Sequence, residues 1–532
     1  MTVDTHALLE RLVGQFASPY DFLRELVQNA MDAGSDLVEV ELHQHPGDHE
    51  GEVVFELVVL DAGGGMDEEI IDGELTRLFG TSKTDDRTMA GGFGIGFVSV
   101  FAWEPERVLL QTGRRGEAWE LLFHDDRQFE KRPVDMPLEG TTVRLFRRGA
   151  PSQRRDIAEA VEDALRRWCR FAPIEITFDD VESAQGPREI AEPLEPRDVP
   201  CSVAWELGAS RAVLAFGPQP QSVLLRRGLV LQEGQSATLL PVLGEAAGAD
   251  SMAHLVARVD SPKLRTALAR DGVVESADRD ALERALVPTL TQLRAALVGR
   301  VCELVARPRW DRAAEDDYSH LHAHLQLEHG AIERLDRYDI LRLATGTPIS
   351  LGALARRARL GIVAVSDHDP LELRLVALRS GIPVLHGRWS VDQPWIEALL
   401  GSRELRALPL AEAVAVAEAV DTPPALARLT LSLLADIVRP KAMQWGVFEG
   451  SSADVLGGVA LGGAGVVTAA RWTSALLKER TLWLRVDHPV VQRASATAVT
   501  SPDVAAFGLA AAILSRGDAP VDALWDAWRA FG

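Results

Sequence analysis

At 532 residues the chain is longer than one hydrophobic core usually supports, so about two to four domains are expected. Hydrophobic residues make up 47% and charged residues 25%, a balance that excludes the disordered and fibrous classes. A formal charge of -22, from 56 Lys and Arg against 78 Asp and Glu, repels phosphate backbones and makes nucleic acid an unlikely partner.

The opening MTVDTHALLERLVGQF carries acidic residues early and no basic segment ahead of an apolar core, so no secretory leader is expected. Ser18-Pro19 reads as a helix start and Gly34 as its stop, which predicts a helix over residues 19–33. At about 100° per residue, Glu25, Asn29 and Asp32 share one face beside an apolar arc that includes Phe22, Leu26 and Ala30. Residues 53–60, VVFELVVL, predict a buried strand that delivers Asp61 at its end, followed by AGGGM. Three glycines permit close ligand approach, and Met66 offers a soft surface to a flat ring. A carboxylate there can accept a hydrogen bond from an exocyclic amine, the chemistry of adenine selection.

Gly80-Thr81-Ser82-Lys83 and then AGGFGIGF, residues 90–97, lead into an apolar helix. Amides at a glycine-rich helix start cradle anions, and Lys83 adds positive charge; the spacing is not that of a P-loop. A turn-rich RGAPSQ at 148–153 precedes a helical pattern over 154–170. Residues 171 to about 300 read as mixed strands and helix, and about 305–405 as a small unit of helix-connected strands containing GIVAVS and IPVLHG. DTPP at 421–424 opens an alanine-rich region read as helical. Within it the sixteen-residue apolar run 455–470, with five glycines, is too short for a membrane span and reads as packing. Cys169, Cys201 and Cys302 lack metal or redox spacing and read as buried free thiols, so a cytoplasmic protein is expected. His320, His322, His324 and His329 cluster, but a solvated helix explains them more cheaply than a metal site.

LRELVQNAMDAG, DAGGGM, GGFGIGF and Gly140-Thr141-Thr142-Val143, in this order, resemble the four boxes of the gyrase, heat-shock 90, histidine kinase and MutL ATPase superfamily. The resemblance implies a Bergerat-type ATPase α/β sandwich binding ATP and Mg2+. It makes Glu25 the general base and Asn29 the magnesium ligand. Asp61 becomes the adenine anchor, with Thr141 as its water-linked helper and Asp32 as its support. Gly65, Met66, Lys83, Gly91, Gly94, Gly96 and Phe97 complete the nucleotide cradle and lid.

LRELVQNAMDA and GGFGIGFVSVF look closest to heat-shock protein 90 chaperones of bacterial type. LLRRGLVL at 224–231, VDSPKL at 259–264 and ARD at 269–271 are similar to that family's middle domain, with Arg270 at the position of its catalytic arginine. LWLRVDHPVVQ at 482–492 resembles part of its dimerisation domain. The implied architecture is α+β: nucleotide domain 1–150, α/β middle domain 151–405, and a mostly helical C-terminal dimerisation domain 406–532. The implied activity is ATP-driven clamp closure of a homodimer on client proteins. Only TDDRTMA separates Lys83 from Gly91, so the lid is shorter than the family's usual lid. Two other readings stand beside this one: a DNA-associated MutL-like or MORC-like ATPase, and an ATP-binding scaffold with little turnover.

Overall fold

The computed structural model describes residues 18–75, 95–124, 128–197, 199–217, 221–247, 252, 254–265, 272–327, 335–366, 369–450, 454–460, 465–468, 472 and 474–531. The packing divides after Leu293 into two compact units of mixed α+β structure.

The first unit begins with helix α1, Phe22–Asp32. It starts later than Ser18-Pro19 suggests, because the Asp21 carboxylate accepts hydrogen bonds from Ser18 N–H at 3.0 Å and Trp168 Nε1 at 2.8 Å and holds residues 18–21 as a turn. Gly34, at φ +78°, ends the helix as expected. An eight-stranded sheet follows, in the order β5-β4-β3-β6-β2-β1-β7-β8. Its strands are β1 Leu37–Pro46, β2 Val53–Asp61, β3 Arg107–Arg114, β4 Glu117–His124, β5 Phe129–Pro133, β6 Gly140–Gly149, β7 Glu175–Asp180 and β8 Arg188–Glu189. All neighbours pair antiparallel except β1 and β7, which run parallel. β1 alternates buried and open positions, as a strand with one covered face does, whereas interior β2 is buried on nearly every residue. Because β7 and β8 extend this sheet, the expected break near residue 150 falls within it.

Helix α2, Ile95–Val98, runs into a 3-10 turn Ser99–Trp103, and helix α3 spans Arg154–Cys169. These and α1 cover the sheet with one core that includes Phe22, Leu57, Trp103, Phe123 and Leu165. A second sheet, ordered β12-β11-β13-β10-β9, is made by β9 Cys201–Leu207, β10 Ser210–Phe216, β11 Gln221–Arg226, β12 Leu229–Gln235 and β13 Leu255–Asp260. Leu229, at the start of β12, is buried in the core of the first sheet, so the hairpin β11–β12 is fastened to it by apolar packing.

Helix α4, Ala277–Val305, contains the division between the units. In the second unit, helix α5 Arg312–Leu327 carries His320, His322 and His324, while His329 lies outside the described residues. It is not a solvated helix: His322 and His324 are each 1% exposed. His322 Nε2 lies 2.8 Å from the Ile340 carbonyl, its ring stacks on Trp395, and burial pushes its pKa down to about 3. Among the described residues no His, Cys, Asp or Glu group is placed to hold a metal ion. Helix α6 Leu351–Arg357, strand β14 Ile362–Ser366, helix α7 Leu371–Arg379, strand β15 Val384–His386, helix α8 Trp389–Gly401 and strand β16 Arg406–Pro409 alternate, and the three strands form a parallel sheet with β14 central.

The C-terminal region is not mostly helical. β17 Val414–Val420, β18 Ala442–Glu449, β19 Gly457–Ala460, β20 Gly465–Thr468 and β21 Thr481–Arg485 close into a barrel, beside helices α9 Pro424–Leu434, α10 Pro489–Thr497 and α11 Pro502–Leu514. The apolar run 455–470 supplies two barrel strands; a Cβ on Gly457 would stand 2.1 Å from the Trp483 carbonyl oxygen, so the glycine that weakens a helix is what lets these strands approach. No helix among the described residues is long and apolar enough to cross a membrane. All three cysteines are free; Cys169 is buried, its thiol pushed up to about 12 by burial, while Cys201 and Cys302 are only half-buried.

Candidate functional site

In the first unit a cavity of about 330 Å3 opens between α1 and the central strands, lined by Leu26, Val59, Met66, Phe97, Leu110 and Val143 among other residues. Its floor is a row across three strands: Asp61 on β2 is in register with Thr141 on β6, which is in register with Thr112 on β3. Thr112 is fully buried and joins the pieces. Its Oγ1 accepts the Met66 N–H at 2.9 Å and lies 3.1 Å from both Thr141 Oγ1 and the Gly140 carbonyl.

Asp61 Oδ1 accepts the Gly63 N–H at 2.8 Å. Burial raises its pKa above the ordinary 3.8, and amide hydrogen bonds from Gly63 and Thr141 oppose that rise. The AGGGM turn is held so closely that side chains do not fit. A Cβ on Gly65, at φ +59°, would stand 2.0 Å from the Gly113 carbonyl oxygen; one on Gly140, at φ +77°, would stand 2.1 Å from that of Asp61.

Glu25, Asn29 and Asp32 lie along α1 as the helical spacing predicts, but the three do not share one surrounding. Glu25 is buried, and its Oε2 would be 3.1 Å from a Cβ placed on Gly96, with Asn29 Nδ2 at 3.9 Å. The missing side chain at Gly96 therefore lets the start of α2 approach the carboxylate and amide of α1. Phe97, the next residue, is buried against Phe123 and lines the cavity. Asp32 lines the cavity too, but its carboxylate is paired with Arg227 at the turn between β11 and β12. At the neighbouring Gly228 a Cβ would be 2.4 Å from the Phe171 carbonyl oxygen, so the turn is seated firmly.

Lys83, Gly91, Gly94 and Arg270 lie outside the described residues. The chain beside Arg270 is tied back: Val274 N–H donates to the Arg265 carbonyl at 2.8 Å, and Val273 N–H to Gln232 Oε1 at 3.0 Å.

Sequence reasoning missed three contributors. Thr112 hides in an ordinary strand pattern, Arg227 comes from a distant turn, and Arg114 is the one cation lining the cavity among the described residues, its Nε 3.9 Å from Asp67 Oδ2. Only the strand register, which puts Thr112 beside Thr141, gives the first of these away.

A pocket with an apolar body, Asp61 at its floor and the start of α2 on its wall is suited to a planar base with an anionic tail. A family model described as "Histidine kinase-, DNA gyrase B-, and HSP90-like ATPase" matches residues 18–142, the segment that holds α1, the Asp61 row and Gly96. No match is found among curated proteins. Residues 18–142 thus form an ATP-binding domain of this ATPase superfamily.

Proposed function

We propose that the chain hydrolyses ATP and is a molecular chaperone of heat-shock protein 90 type, using the nucleotide cycle to close a homodimer on client proteins. The observation that carries the hydrolytic part is the approach of the Glu25 carboxylate and the Asn29 amide to Gly96, with Asn29 lining the same cavity as Asp61.

Asp61 accepts a hydrogen bond from the adenine amine, while Thr112 and Thr141 fix the floor around it. Met66 and Phe97 cover the ring with apolar surface. Amides at the start of α2 receive phosphate oxygens, and Arg114 adds positive charge at the wall. Glu25 orients the attacking water and accepts its proton. The oxygen of the Asn29 amide suits a hard cation: Asn29 would hold Mg2+, which would supply charge neutralisation to the phosphates. Arg270, which follows β13 in the sequence, supplies positive charge to the γ-phosphate in the transition state. Dimerisation through the region from about residue 406 completes the clamp.

The chaperone assignment rests on the likeness of LRELVQNAMDA, the segment order 224–271 and LWLRVDHPVVQ to that family. The charge of -22 weighs against the DNA-associated alternative. Magnesium-dependent hydrolysis measured with wild type, Glu25→Ala and Arg270→Ala, alongside nucleotide binding, tests the proposal. Both variants are expected to bind ATP and to lose at least about a hundredfold in kcat. Wild type that binds without turnover leaves only the scaffold reading; DNA-stimulated turnover favours the DNA-associated one.

A further inference from the structure

The second unit holds a cavity of about 520 Å3 between the C-terminal end of α6, the outer face of α7 and the residues leading into β15. Helix α7 is apolar on two sides. Leu373 and Ala377 point into the core, as a helix covering a sheet requires. Leu371, Leu375 and Leu378, at spacings of four and three, form a second stripe that faces the cavity and is 69%, 40% and 51% exposed. Scattered exposed leucines are ordinary on a protein surface; three on one helical face, lining one cavity, are not.

The charged part of the lining has a single sign. Arg356, Arg357 and Arg359 approach from the end of α6 and Arg374 from within the leucine stripe, and among the described residues no Asp or Glu lines the cavity. Arg356, Arg357 and Arg359 make no ion pair with any described carboxylate, although the chain carries 78 acidic residues against 56 basic ones. Four like charges around one concavity repel one another, and an anion placed among them relieves that repulsion. Guanidinium groups match carboxylate and phosphate oxygens with paired N–H donors. The floor beneath them, Leu343, Ile382 and Val384, is buried and apolar, so a purely polar anion would leave it uncovered.

We infer that this cavity binds a small amphiphilic anion, a carboxylate or phosphate monoester carried on an apolar body, with the head among Arg356, Arg357, Arg359 and Arg374 and the body along Leu371, Leu375 and Leu378. The volume lies within the roughly 300–1,000 Å3 of small-molecule pockets. This site is independent of the nucleotide reading, since it uses no residue of the ATP-binding domain.

Calorimetric titration of the full-length protein with octanoate, octyl phosphate, octyl glucoside and octylammonium, all below micelle formation, tests it. Both anions are expected to bind, and the two uncharged or cationic analogues at least about tenfold more weakly, because they forgo the charge-assisted hydrogen bonds. The tighter of the two anions identifies the head group, and either order supports the site. Arg374→Ala and Arg357→Ala should each weaken anion binding about tenfold, and Leu375→Ser should weaken both anions together. Arg357 and Leu375 are exposed, so melting temperature should not move in their variants, and circular dichroism checks that these and the variant at half-buried Arg374 are folded. Octyl glucoside binding as tightly as the anions, or unchanged anion affinity in Arg374→Ala and Arg357→Ala, overturns the inference. An acidic peptide binding while both octyl anions fail also overturns it.

Discussion

Around the cavity of the first unit apolar side chains line the wall, and close backbone packing at its base sets its shape. Gly65, Gly113 and Gly140 let three chain segments meet at distances that no side chain would permit, and the polar floor is a register row fixed by strand pairing. Around the cavity of the second unit the walls are side chains: arginines at the end of one helix and leucines along another. A pocket shaped by backbone is rigid and intolerant of substitution, because any added atom meets a carbonyl that cannot move alone. A pocket shaped by exposed side chains can be rewritten one residue at a time without disturbing the core. The contrast also separates the two proposed ligands: a flat base met by a single carboxylate in one reading, an anion met by several cations in the other.

The sharpest way to break this contrast is a single methyl group. Gly65→Ala would place a Cβ 2.0 Å from the Gly113 carbonyl oxygen at a positive φ, and Gly140→Ala one 2.1 Å from that of Asp61. Each should cost more than about 3 kcal/mol and abolish nucleotide binding, read as a lower melting temperature and loss of binding signal. If both alanines bind ATP normally, the backbone does not shape the site. Next in size is Asp61→Asn, which keeps shape and changes chemistry. The amide can turn an N–H toward the adenine amine, and binding should fall about a hundredfold in equilibrium titration while the melting temperature of the free protein holds or rises.

That last expectation follows from the sign of the Asp61 shift. Burial raises its pKa above 3.8, so between 3.8 and the raised value the folded protein retains a proton that the unfolded chain has released. The Asp61 contribution to stability therefore declines as pH rises through that window, and nucleotide affinity declines as pH falls through it. Titration of ATP affinity against pH should show the loss beginning above the pH at which an ordinary aspartate protonates. The arginine-lined cavity gives the counter-case. The pH dependence of anion binding there should follow the pKa of the ligand head.

The same contrast explains how much could be read from residues alone. The first cavity was legible because backbone demands leave signatures: DAGGGM after an apolar strand, glycines before an apolar helix, Glu25, Asn29 and Asp32 at helical spacing. A family model matches this segment and stops at residue 142. Thr112 was missed because a threonine in a strand has no pattern of its own; its role exists only in the register with Thr141. The barrel was missed for a related reason. Short runs such as GGVA and GVVT satisfy a helix or a strand equally well, and pairing with a distant strand, Thr481–Arg485, decides between them. The arginine cavity leaves no local signature, because its residues come from four separated segments and each alone reads as ordinary surface.

The smallest effect tests a charged side chain on the wall of the first cavity. Asp32, on its wall, is held by Arg227 from the β11–β12 turn, and both side chains are partly exposed. An ion pair of this kind contributes at most about 1 kcal/mol, so Arg227→Ala should change ATP affinity by no more than about fivefold and leave folding intact. Because the turn is already fixed by Leu229 in the core and by the close seat of Gly228, the pair is not needed to dock the hairpin. What the pair does instead is offset the Asp32 charge at the wall of the cavity. Loss of Arg227 frees a negative charge at the wall of a site meant for a polyanion, so affinity should fall in Arg227→Ala and recover in the double variant Asp32→Ala/Arg227→Ala. Recovery in the double variant measures the charge that Arg227 neutralises. If the double variant binds as weakly as Arg227→Ala alone, the arginine acts directly on the nucleotide, and a side chain from the second sheet has to be counted among the walls of the first cavity.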